Sequence, residues 1–177
     1  MLRCLGRITI IGITLSCLLS VCKHSARAGS PASNENSTED LAIIVNTTNP
    51  VESMSLPELR KIFLGERSHW PNGRRITLVM MEPGEPERKA LIREVCQMNE
   101  SDFSRHFLQG VFTGEVFVSP KTLASPVGVR KFVFNVPGAI GYIRASDLDS
   151  TVKAIRVDGR FPSDREYSLR VPPRAVQ

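Results

Sequence analysis

Ile76-Thr77-Leu78-Val79-Met80-Met81-Glu82-Pro83-Gly84-Glu85-Pro86-Glu87-Arg88-Lys89-Ala90-Leu91 passes from an apolar run through a tight turn into a helix start. Ile76 to Met80 is too short for a helix and rich in β-propensity, so it predicts a buried strand. Pro86 sits in the first turn of a helix, where its missing N–H costs nothing. Beyond it Leu91, Ile92, Val95 and Cys96 recur at three- and four-residue spacing, which places them on one face and Cys96 in the core. A strand leading through a short loop into a helix is the building unit of an α/β layer structure.

The same alternation runs through the rest of the chain. Leu41-Ala42-Ile43-Ile44-Val45 is a second buried strand, and Ser55-Leu56-Pro57-Glu58 matches a capping box that opens a helix with Leu59, Ile62 and Phe63 as its stripe, ending at Gly65. Trp70-Pro71-Asn72-Gly73 is a turn, in which Trp70 is expected to plug the core with its N–H bonded to backbone. A further helix is expected from about Ser101 to Gly110–Gly114 with Phe103, Phe107 and Val111 on one side. Ser125-Pro126 caps another, carrying Val127, Arg130, Lys131, Val133 and Phe134 as far as Pro137-Gly138. Ala139 to Ile143 and Val152 to Val157 are strands. Strands separated by helices predict a mainly parallel sheet flanked by helices.

The first residues belong to another category. Arg3 and Arg7 precede an apolar run from Ile8 to Cys22, and Ala26-Arg27-Ala28 follows, the layout of a secretory leader with cleavage expected after Ala28. The apolar run is short for a membrane-spanning helix. Cys22 would be the acceptor in a lipoprotein reading, but Val21 before it is larger than the residue usual there. Cleavage removes four of the 23 basic residues and none of the 18 acidic ones, leaving 19 against 18. The basic character therefore belongs to the leader, and a global charge argument for nucleic-acid binding falls away. Cys4, Cys17 and Cys22 leave too, so Cys96 has no intrachain disulfide partner. Residues 29–40 hold nothing apolar larger than alanine and read as a disordered tether; 41–170 form the domain and 171–177 a tail.

Four phrases carry a resemblance when taken together: Val45-Asn46-Thr47-Thr48-Asn49-Pro50-Val51; Leu56 to Gly65 with Trp70-Pro71-Asn72-Gly73; Pro137-Gly138-Ala139-Ile140-Gly141-Tyr142; and Val152 to Gly159. In this order and spacing the chain resembles the phosphate-binding periplasmic proteins of ABC transporters, of the type 2 periplasmic-binding-protein superfamily, over roughly Leu41 to Arg170. The resemblance implies an α/β lobe of that type. Full-length members close two lobes over the ligand, and this chain is long enough for about one.

It further implies that the phosphate loop follows the Ile76 to Met80 strand, where the family has an arginine and then Ser-Gly-Thr entering a helix. Such a loop combines a paired cationic donor with the exposed amides and positive dipole end of the helix. Here Met81 stands near the arginine place and Gly84-Glu85-Pro86 replace the small hydroxyl residues. The ligand positions that the resemblance implies are Met81, Gly84, Glu85 and Arg88, and the residues that hold phosphate are missing from them. Glu82, Glu85 and Glu87 are expected to stabilise the helix start themselves, as a self-capped surface helix, the alternative being a cation or polar-ligand site that uses Glu85 and Glu87.

Other constellations point to ordinary structure. His69 and His106 lie far apart with no metal-ligand grouping around either, and they read as a loop histidine and a helix-surface histidine. Arg60, Lys61, Arg67, Arg74 and Arg75 cluster around the first helix and the Trp70 turn and read as a solvated face, the alternative being a basic patch for an acidic partner. No nucleophile elbow, P-loop or dinucleotide pattern appears, so neither an enzyme nor a cofactor is expected. The chain reads as periplasmic or secreted, with an oxyanion or other small solute, an ABC transporter or another periplasmic protein as partner. The alternative is a protein-interaction module that uses the lobe as a scaffold.

Overall fold

A computed structural model of the protein describes residues 38–174. The expected leader, tether residues 29–37 and the last three tail residues lie outside this range. Strand β1 (Glu39–Asn46) is buried from Leu41 to Asn46. It begins in the last two residues expected to be tether, because Glu39 and Asp40 pair with Val171 and Arg170 of β8 (Arg170–Val171). The main sheet runs β4 (Lys121–Leu123), β3 (Thr77–Met81), β5 (Ala139–Arg144), β1, β6 (Val152–Ala154), with β8 also against β1.

The sheet is mixed, and the expected parallel order holds on one side of β1. β3 is parallel to β4 and β5, each pair being joined through helices that return the chain to the same edge. β1 lies between β5 and β6 and is antiparallel to both, with Leu41 opposite Arg144 and Val45 opposite Ile140. The expected strand over Val152 to Val157 is divided. Ile155 donates its N–H to Ile43 and Arg156 to Glu52, so the chain leaves the main sheet there, and β7 (Arg156–Val157) pairs with β2 (Ser53–Met54).

Helix α1 (Leu56–Phe63) starts on the expected capping box: the Ser55 hydroxyl accepts from the Glu58 N–H, and the Glu58 carboxylate accepts from the Ser55 N–H at 3.1 Å. It buries Leu59, Ile62 and Phe63, each contributing about 1.5–3 kcal/mol of apolar transfer. Trp70 is buried as expected, and its Nε1–H donates to the Gly138 carbonyl at 2.9 Å. Gly138 is required there, since a Cβ would stand 2.2 Å from the Arg75 carbonyl oxygen.

Helix α2 (Pro86–Leu91) continues into a single π-helical turn, Ile92–Cys96, which stops at Gln97 in the left-handed conformation. Leu91, Ile92, Val95 and Cys96 are all buried. Helix α3 (Glu100–Thr113) buries Phe103 and Gly110, whereas Val111, expected on the inner side, is 55% exposed. α4 (Pro126–Asn135) lays Val129 and Val133 on β5 over Gly141, leaving Val127 and Phe134 about half exposed. Asn46 ties the end of β1 to the end of α4 through hydrogen bonds from Nδ2 to the Val133 and Phe134 carbonyls.

Candidate functional site

In α/β sheets ligands gather outside the carboxyl ends of the strands. At that edge of β3 and β5, beside the start of α4, lies a cleft of about 490 Å³ whose lining includes Glu85, Glu87, Val127, Arg144, Asp147 and Arg174. Glu85, Pro86 and Glu87, at the start of α2, form one wall. The charges facing the cleft are largely matched: Arg144 pairs with Glu87, and Arg174 with Asp147. Glu85 has no ion-pair partner among the described residues.

Of the four expected ligand positions, one borders the cleft. Glu85 is the N-cap residue of α2, but its side chain makes no capping hydrogen bond. Gly84 is the exposed tip of the turn, at φ +100° with nothing near the place of a Cβ. Met81 is fully buried: its N–H donates to the Tyr142 hydroxyl at 3.0 Å and its carbonyl accepts from Arg88 Nη1 at 2.9 Å. Burial drives the Tyr142 phenol well above its ordinary range, so that hydroxyl stays protonated.

Arg88 turns away from the cleft. Its Nε donates to Glu100 at 2.9 Å, Nη2 stands 2.7 Å from the same carboxylate, and the guanidinium lies 5.4 Å from the Phe103 ring centroid. The side chain is 7% exposed, with its charge already matched. A solute in the cleft therefore meets no donor from it.

The expectation of a self-capped surface helix is corrected at Glu87. This residue is 4% exposed, and its carboxylate accepts from Arg144 Nε at 2.5 Å instead of facing its own helix end. Arg144, 1% exposed, also donates through Nη1 to Glu39 at 2.8 Å and to the Pro172 carbonyl at 2.7 Å. Three segments distant in sequence thus converge on one guanidinium. The sequence reading passed over Arg144, Asp147 and Arg174; the available signal was an arginine placed directly after the apolar strand Ala139 to Ile143.

The remaining candidates fall elsewhere. His69 is exposed, and His106 Nε2 lies 2.9 Å from the Leu64 carbonyl, on the inner side of α3. Among the described residues no group of three or more His, Cys, Asp or Glu stands together in a way that could hold a metal ion. Of the expected basic cluster, Lys61, Arg74 and Arg75 are exposed, and Arg60 donates to Gln97 at 2.9 Å. Among the described residues no helix is long and apolar enough to cross a membrane.

No protein-family model matches the chain. It is 31% identical over 131 residues to the phosphate-binding protein PstS of Bacillus subtilis, covering 72% of this chain and 39% of that protein. Among solved structures it is similar to a protein from Clostridium perfringens described as a phosphate ABC transporter substrate-binding protein and solved with phosphate bound, with TM-score 0.64, 23% identity, and 76% and 54% of the two chains covered. The ABC-type phosphate transport receptor of Vibrio cholerae superposes with TM-score 0.62 at 21% identity, over 80% of this chain and 59% of the other. The chain thus spans less than two thirds of the length of each of these relatives. The chain belongs with the phosphate-binding proteins of ABC transporters, in the type 2 periplasmic-binding-protein fold, as a relative matched over part of their length.

Proposed function

We propose that this chain is an exported lobe of the phosphate-receptor type whose phosphate loop is degenerate and does not hold phosphate. The observation that carries this reading is the engagement of Arg88, the buried arginine of the loop-helix segment, by Glu100 and the Met81 carbonyl. An oxyanion at the start of α2 would meet the Glu85 carboxylate and a proline that has no N–H to offer. Glu87 beside it adds a second carboxylate, already matched by Arg144. The cleft suits a neutral or cationic group better than an oxyanion.

Thermal unfolding with millimolar phosphate tests the reading. A site filled at 100 times its dissociation constant would add about 2.7 kcal/mol, which raises the melting temperature by about 5–10 °C for a domain of this size. The expected result is no shift; a clear rise refutes the degenerate-loop reading. Export with cleavage after Ala28 is part of the same proposal. A mature N-terminus at Gly29 supports it, an acylated Cys22 replaces release by anchoring, and retention of Met1 refutes it.

The partners such a lobe would meet are an ABC transporter or another extracytoplasmic protein. The second reading, an interaction module without a small ligand, is favoured by the apolar side chains that α3 leaves in solvent, Leu108 and Phe112 above all.

A further inference from the structure

We infer that the outer face of α3 is a self-association surface whose partner is a second copy of this chain, packed antiparallel about a two-fold axis. The inner face of the helix is already used: Phe103 and Gly110 are buried, and His106 meets the Leu64 carbonyl. The outer face carries Arg105, Leu108 and Phe112 at spacings of three and four, with Val111 beside them. Leu108 is 64%, Val111 55% and Phe112 84% exposed. Side chains at these spacings form one ridge.

Charge at the two ends of the ridge selects the partner. Arg105 stands at its N-terminal end, and Glu115 is exposed just past the Gly114 cap at the other. The last turn of α3 carries no basic residue, so the negative end of its dipole lacks a cation from its own turn. An antiparallel copy brings the partner's ridge round so that each Arg105 meets the opposite Glu115 and helix end, while Leu108 faces Phe112 twice over. A two-fold contact must be self-complementary, and a ridge with one cation and one anion at opposite ends is so. The intrachain pair of Arg105 with Asp102 at 3.1 Å has side chains 62% and 48% exposed and therefore holds the guanidinium weakly.

The contact is small. A phenylalanine buries about 150–250 Å², so two copies of Phe112 with Leu108 and Val111 lie toward the lower end of specific interfaces. Association is accordingly weak and visible only at high concentration. The inference does not depend on whether the cleft binds a solute.

Sedimentation equilibrium between about 10 μM and about 1 mM tests it, a range that brackets weak affinities. The protein is taken in the form that the cell accumulates, its N-terminus read by intact mass. The expected result is a reversible monomer–dimer equilibrium that Phe112→Ser abolishes. Arg105→Glu and Glu115→Arg should each weaken it by about tenfold, and the double exchange should restore it to within about threefold. All three positions are exposed, and an unchanged Trp70 emission spectrum certifies each variant as folded. A monomer throughout the range, a dimer indifferent to Phe112→Ser, or a double exchange no better than the single changes would overturn the inference.

Discussion

Arg144→Met removes the guanidinium that ends β5 and keeps an unbranched side chain in its place. In the native structure that group is 1% exposed and contacts Glu87 at 2.5 Å, Glu39 at 2.8 Å and the Pro172 carbonyl at 2.7 Å. The three partners differ in what they can do without it. Glu39 keeps 31% of its side chain in solvent and has the Ser146 hydroxyl at 2.8 Å, so it can turn outward at little cost. The Pro172 carbonyl loses one hydrogen bond, about 1 kcal/mol. Glu87 is 4% exposed and is left as a carboxylate that water barely reaches, and stranding one member of a buried pair costs about 3–5 kcal/mol.

A loss of about 3–5 kcal/mol is a large part of the roughly 5–15 kcal/mol that holds a domain folded. Urea unfolding followed through Trp70, the single tryptophan, measures it directly. The second arm is Arg144→Met combined with Glu87→Met. Exchanging both members for apolar side chains is often close to neutral, so the double variant should recover at least about 2 kcal/mol of the loss. A single variant costing less than about 1 kcal/mol, or a double variant costing the sum of its parts, would show that stranded charge is not what Arg144 prevents.

Ser55→Ala removes the capping box of α1 and should cost about 1 kcal/mol at neutral pH. The Ser55 hydroxyl, followed by the Ser55 backbone N–H, holds the Glu58 carboxyl below its ordinary value of 4.5. A depressed carboxyl contributes stability above the unfolded value and loses it as the pH falls through the folded one. The gap between wild type and Ser55→Ala should therefore narrow in urea titrations below about pH 4; a gap that widens in acid is the refuting result. Cys96 is fully buried, and burial pushes its thiol up to about 12. It should resist alkylation at pH 8 in the folded protein and react in urea, as peptide mass mapping reports, and rapid native labelling would remove it from the core.

Much of the local structure is legible in the chain because its causes lie within a few residues. The Ser55–Glu58 box, the proline at the start of α2 and the spacing that buries Cys96 are local patterns, and each stands where expected. Trp70 also plugs the core as expected, although its carbonyl partner is 68 positions away, since a bulky indole with one donor has few other stable places. Val111 fails for a local reason as well. Its spacing from Phe107 is compatible with the inner stripe, but the helix turns inward through Gly110, where Val116 packs against the glycine.

The candidate site is different. Met81, Gly84, Glu85 and Arg88 lie close together in the chain, yet one of them borders the cleft while Arg88 is drawn to Glu100. Glu87 looks like a helix-start acid until β5 brings Arg144 to it across 57 positions, and Glu39 reaches the same guanidinium across 105. The direction of β1 is equally remote from its own residues, since Leu41 to Val45 would be as well buried parallel to β5 as against it. Propensity, capping and apolar periodicity act over one or two turns, and they suffice to announce the strands, the helices and the resemblance. Which charge neutralises which, and hence whether the loop presents a donor or a carboxylate to a solute, depends on groups that approach only when the sheet assembles, because Coulomb and hydrogen-bond energies act over a few ångströms of space whatever the separation along the chain.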